Sequence, residues 1–93
     1  MPFLYELRLD PREPEYTLVQ QLVPAGTLVG MGQAVAVLSD GAMEFHLPAP
    51  RQGLLVAWHV ASGMHVRASD PIARLVCEGA ARDVPDSVPV RLG

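Results

Sequence analysis

A chain of 93 residues, 49% of them hydrophobic and 18% charged, has the composition of one small globular domain able to bury its own core. A net charge of −3, with the arginines scattered at Arg8, Arg12, Arg51, Arg67, Arg74, Arg82 and Arg91 and no lysine at all, provides no basic stripe for nucleic acid, and the single Cys77 excludes an intramolecular disulfide or a cysteine-rich zinc site. No apolar run approaches the roughly 20 residues of a membrane span, and the N-terminal Met-Pro-Phe-Leu-Tyr-Glu lacks the features of a signal peptide, so the expected location is cytoplasmic.

In chain order, Phe3, Tyr5, Leu7 and Leu9 alternate with Leu4, Glu6 and Arg8, the period of two of a half-buried strand, which Asp10-Pro11-Arg12-Glu13-Pro14 ends. A second strand runs from about Tyr16 to Val23. Pro24-Ala25-Gly26 bends the chain, Thr27 to Val29 follow, and Gly30-Met31-Gly32 bends it again. Such frequent punctuation admits only short strands, and no stretch of ten residues carries a helical stripe, so the fold class is all-β.

Ala34 to Leu38 and Ala42 to Leu47 form two apolar strands around Asp40-Gly41, a two-residue hairpin signal because glycine takes positive φ at little cost. Pro48 and Pro50 then remove backbone donors and stop the pairing. The expected result is a projecting tip, with Asp40 and Glu44 as a solvated acidic knob of ordinary carboxylate acidity.

Arg51-Gln52-Gly53 leads into Leu54 to Val60, a long apolar run holding the single Trp58, which is expected in or half in the core with its indole N–H on a partner. Ala61 to His65 turn the chain, and Ile72 to Cys77 make the last strand of a domain spanning residues 1–77. Residues 78–93, with Pro85 and Pro89, read as a loosely held tail, although Val84, Val88, Val90 and Leu92 also suit an extended strand on a sheet edge.

Displacing the chain by 37 residues lays Leu18-Val19 on Leu55-Val56, Val23 on Val60, Gly26 on Gly63, Val29 on Val66, Ala36 on Ala73 and Leu38 on Leu75. Two such units lack the third repeat a solenoid needs and bury their apolar faces on each other. The expectation is a flattened β-barrel of two similar four-stranded sheets with pseudo-two-fold symmetry, in which matched residues such as Val19 and Val56 share buried positions.

The order Val-x-x-Gly-x-x-Val-x-x-Gly-Gln at residues 23–33, Ala36, then Pro48-Ala49-Pro50 and Gly53, then Gly63, Val66, Pro71, Ile72, Ala73 and Leu75, resembles the lipoyl and biotinyl carrier domains over residues 15 to 76. The resemblance implies the barrel-sandwich hybrid fold. In that family a lysine at the hairpin tip takes lipoate or biotin in amide linkage, and here the equivalent place falls on Gly41, Ala42 or Glu44 depending on register, with Pro48-Ala49-Pro50 favouring Ala42. None of these side chains forms such an amide, and arginine is no substitute because its guanidinium stays protonated.

The remaining chemistry is sparse. His46, His59 and His65 are spaced by 13 and 6, which makes no compact metal site, and Ser39 and Ser62 lack a nucleophile-elbow context. The expectation is therefore no enzyme, no cofactor and no metal. The resemblance implies a protein-interaction module, presented through Asp40, Gly41, Ala42, Met43 and Glu44, that docks to a lipoate- or biotin-dependent multienzyme complex; the alternative is a spacer or subunit of a larger acyltransferase or of a membrane-fusion or transport assembly.

Overall fold

Glycine and proline cut the chain into pieces too short for anything but strands, and in the computed structural model, which describes residues 1–79 and 84–92, every regular element is one. In chain order they are β1 (Pro2–Leu7), β2 (Tyr16–Gln21), β3 (Thr27–Val29), β4 (Ala34–Ser39), β5 (Glu44–Pro48), β6 (Gly53–Trp58), β7 (His65–Val66), β8 (Ala73–Glu78) and β9 (Val90–Arg91). They form two sheets of order β1-β8-β6-β3 and β7-β2-β4-β5-β9, with antiparallel pairing throughout. The second sheet has a fifth strand that the sequence pattern did not require, because β9 comes from the tail.

The two halves exchange strands. β3 of the first half pairs with β6 of the second, and β7 of the second pairs with β2 of the first, so neither half is complete without the other. The repeat extends to single hydrogen bonds. Gly26 N–H donates to the Leu55 carbonyl at 2.7 Å, and 37 residues on Gly63 N–H donates to Leu18 at 2.8 Å. The β2–β4 register (Thr17↔Ser39, Leu18↔Leu38, Gln20↔Val37, Gln21↔Ala36) reappears, shifted by the same 37, as the β6–β8 register (Leu54↔Val76, Leu55↔Leu75, Ala57↔Arg74, Trp58↔Ala73). Trp58 Nε1 donates to the Val23 carbonyl at 2.9 Å, and its counterpart Gln21 donates Nε2 to Val60 at 2.9 Å. An indole and an amide thus satisfy equivalent carbonyls, and the half-buried Trp58 has the partner expected of it.

Each register also skips one residue. The skipped residues are Val19 and Val56, which lie in β-bulges and are 40% and 37% exposed. They are equivalent, as the repeat requires, but they are not core: each follows a fully buried leucine, Leu18 or Leu55, so the in–out alternation of the strand already turns it outward, and the bulge falls at that outward residue. The pairs that do share buried positions are Leu18 with Leu55, Val29 with Val66, Ala36 with Ala73 and Leu38 with Leu75, all at 0% exposure. Leu7, Leu47 and Ile72 join them between the sheets. Each fully buried leucine contributes about 1.5–3 kcal/mol of transfer free energy.

Residues 84–92 are not loosely held. Ser87 forms a parallel bridge to Leu9, donates its N–H to the Arg8 carbonyl at 2.8 Å and its hydroxyl to the Pro48 carbonyl at 2.7 Å, and is 2% exposed. Tyr5 donates its hydroxyl to the Pro85 carbonyl at 3.0 Å, and burial pushes that phenol's pKa up to about 12. β9 then pairs with β5 (Phe45↔Arg91, His46↔Val90) and covers an edge that would otherwise present bare backbone groups. The remainder of the predicted tail beyond Gly79, residues 80–83 and 93, lies outside the described residues.

Candidate functional site: the β4–β5 tip

β4 is buried over Val35 to Leu38 and so is anchored in the core, whereas residues 40–44 are exposed. The last ladder pair is Ser39↔Glu44, and beyond it Asp40 N–H donates to the Met43 carbonyl at 3.2 Å. The residues that reverse the chain are therefore Gly41 and Ala42, one place further on than the predicted Asp40-Gly41. Gly41 has φ +97°, while Ala42 stays on the negative side, the pattern of a turn with positive φ at its first central residue.

The shift has a side-chain cause. Asp40 Oδ1 accepts from the Ala42 N–H at 2.9 Å and from the Met43 N–H at 2.8 Å, which requires Asp40 to flank the turn and not to occupy it. Ser39 Oγ accepts from the Gly41 N–H at 3.0 Å. Three consecutive backbone donors at the tip are thus capped from within, and the loop holds its shape without a partner. The Met43 and Ala42 N–H groups hold the Asp40 carboxyl below its ordinary value of 3.8, with a smaller contribution from nearby Arg91, so the expectation of ordinary acidity fails for Asp40.

Arg91 is the residue that sequence reasoning missed. β9 brings it opposite Phe45, and Leu92 N–H donates to the Glu44 carbonyl at 2.9 Å, so the end of the tail borders the tip. The knob is consequently an acidic pair with an arginine beside it. The alternation of Val88, Val90 and Leu92 was the available signal for a strand there, but nothing local named β5 as its partner.

The histidines are dispersed. His59 Nε2 lies 2.8 Å from Glu6 Oε2, and Arg74 Nε donates to Glu6 Oε1 at 2.6 Å; partial burial works against the Glu6 charge, but these two donors bring its pKa below the ordinary value. His65 Nδ1 sits 3.1 Å from Glu15 on the surface, and His46 lies on β5 opposite Val90. Among the described residues no three His, Cys, Asp or Glu side chains gather as metal ligands. Cys77 is fully buried, which pushes its thiol up and away from reactivity. No helix of the described residues is long and apolar enough to cross a membrane.

The tip can present a side chain at position 42 clear of the barrel: Ala42 is exposed, has ordinary backbone geometry and has its own N–H satisfied. It holds no amine, and no lysine occurs anywhere in the sequence. A family model described as a biotin-requiring enzyme, the biotin/lipoyl model, matches residues 12–75. A search of curated proteins found no match.

Proposed function

Since the chain belongs to the biotin/lipoyl domain family, with the match running from β2 into the first half of β8 and covering the tip between them, we propose that it is a carrier-like domain that carries nothing: a non-catalytic module that docks through its β4–β5 tip to components of a lipoate- or biotin-dependent complex. The observation that carries this reading is a tip closed by its own side chains, with Gly41 and Ala42 exposed at its apex and no lysine there or elsewhere in the chain.

The physical case is that the fold has what recognition needs and lacks what transfer needs. An amide to lipoate or biotin requires a primary amine whose neutral fraction attacks an activated acyl group. Neither glycine, alanine nor glutamate supplies one. Recognition requires instead a rigid projecting loop of defined charge, and a preorganised loop loses little conformational entropy on binding. Asp40 and Glu44 give the loop its acidity, Met43, 41% exposed, gives it an apolar contact, and Arg91 gives it a register mark.

The test is an amide-shift titration of isotope-labelled protein with the host's lipoate ligase, its biotin ligase and the acyltransferase components those enzymes serve. Shifts confined to residues 39–44 and 90–92, and weakened in Glu44→Ala, are the expected result. No shift with any of them, or shifts only on the far sheet, would contradict docking through the tip.

A further inference from the structure

The two sheets differ in one row of outward side chains where the repeat predicts likeness. Across the sheet β1-β8-β6-β3, Leu4 pairs with Val76, Val76 with Leu54 and Leu54 with Leu28, so four apolar residues run side by side over every strand. Leu4 and Leu28 are 65% exposed and Leu54 38%. The equivalent row on the other sheet is Glu44, Ser39, Thr17 and His65, joined by the corresponding pairings and entirely polar. The fold accepts polar residues along this row in one half, so barrel stability does not account for the apolar row in the other. A contiguous exposed apolar row across a whole sheet is a contact surface.

The charges beside the row identify its occupant. On β8, Arg74 and Glu78 stand two residues to either side of Val76 and therefore share its outward face; within the chain Arg74 already gives its Nε to Glu6, and Glu78 lies 3.8 Å from the N-terminal amine, so a partner would share these charges. A two-fold axis lying along the row places Val76 over its own copy and sets Glu78 of one molecule against Arg74 of the other, twice. Each charge sits ~7 Å along the strand from the axis, and facing sheets stand ~10 Å apart, a gap that a glutamate and an arginine span together. Such a surface is complementary to itself, which is the requirement of an isologous dimer.

We infer that the outer face of the β1-β8-β6-β3 sheet binds a second copy of this chain, the Leu4-Val76-Leu54-Leu28 rows packing face to face with Arg74 and Glu78 in reciprocal pairs. A single four-stranded face is at the small end of specific interfaces, so the association is weak and concentration-dependent. It leaves the β4–β5 tips of both copies on the other sheet and free, and it does not rest on what those tips bind.

Sedimentation velocity from ~10 µM to ~1 mM, the range proper to interfaces of this size, reads it directly. Wild type should climb from the 10.0 kDa monomer toward twice that mass. Leu4→Glu/Leu28→Glu should stay monomeric; both side chains are largely exposed, so circular dichroism should be unchanged. The orientation has its own test: Glu78→Arg alone and Arg74→Glu made together with Glu6→Gln, so that the new carboxylate meets none in its own chain, should each lose self-association, whereas an equimolar mixture of the two should recover it, since each then meets its opposite charge. Wild type monomeric throughout overturns the proposal. Undiminished association of Leu4→Glu/Leu28→Glu, or no recovery in the mixture, overturns the arrangement proposed.

Discussion

Gly32 and Ser69 lie 37 residues apart at the same place in the two halves, and both hold positive φ, +85° and +76°. The turns around them match. Gln33 N–H donates to the Gly30 carbonyl and Asp70 N–H to the Arg67 carbonyl, each at 3.1 Å, while the Gln33 and Asp70 side chains accept from the N–H of Gly30 and Arg67. The fold imposes a left-handed residue at this turn, and the second half meets the demand with a serine. A side chain in that conformation costs about 1–2 kcal/mol.

Ser69→Gly should therefore raise stability by about 0.5–1 kcal/mol, the relief of strain being partly offset by the greater freedom of glycine in the unfolded chain. The Arg8 side chain bonds the Ser69 backbone carbonyl, so no partner is lost. The reverse change, Gly32→Ser, meets nothing within 4 Å and should cost about 1 kcal/mol from backbone strain alone. Urea denaturation of both variants measures the pair, and equal signs for the two would refute the symmetric account of the turn.

Leu38→Ala and Leu75→Ala should each cost about 2–5 kcal/mol, and by similar amounts, because the side chains are fully buried at equivalent sites. The bulge valines should respond otherwise: Val19→Ala and Val56→Ala should each fall below about 1 kcal/mol, as partly exposed positions do. Equilibrium denaturation in which the valines matter as much as the leucines would mean that these side chains are not turned outward.

Gly53 is held by a close approach, since a Cβ there would lie 2.8 Å from the Val76 carbonyl oxygen and 2.9 Å from Cys77 Sγ. Gly53→Ala has to push β6 away from β8 and should destabilise by about 1–3 kcal/mol as an overpacking change. A thermal melt unchanged from wild type would show that the strands part without cost.

The tip should loosen in acid. Asp40's folded pKa lies below its unfolded value of 3.8 because Met43 and Ala42 donate to the carboxylate, so its contribution is fully present above 3.8 and is lost as pH falls through the lower folded value. Amide shifts of Ala42 and Met43 should titrate together with a midpoint below 3.8, and Asp40→Ala should remove that titration while sparing the core amides. A midpoint above 3.8 would contradict the capping role.

The parts of this architecture legible in the sequence were those written in local pattern. Alternation at Phe3 to Leu9 and the spacing of Gly26 and Gly63 foretold the strands, the turns and the two-fold relation. Ser69 was opaque because serine carries no signature of positive φ; only its match to Gly32 discloses the conformation. The tip was displaced by one residue because the Asp40 carboxylate, acting across two peptide units, outweighs the preference of Asp-Gly for the turn centre. Ser87 and Arg91 were illegible for a further reason: their partners Arg8, Pro48 and Phe45 are distant in sequence, and no composition rule pairs a tail with a particular edge.

The most direct measurement is the intact mass of Ala42→Lys after incubation with the lipoate and biotin ligases, beside wild type and Gly41→Lys. Wild type should keep its mass under every condition, having no amine to acylate except at its terminus. Gly41→Lys gives up a glycine at φ +97° and should lose about 1 kcal/mol, whereas Ala42→Lys is exposed with ordinary backbone geometry and should fold as wild type does. A gain of one lipoyl or biotinyl group on Ala42→Lys is the predicted result, for it shows a carrier tip complete but for its nucleophile. Folded Ala42→Lys and Gly41→Lys that both keep their mass with either ligase would contradict it, and would mean that the likeness to the carriers ends at the barrel.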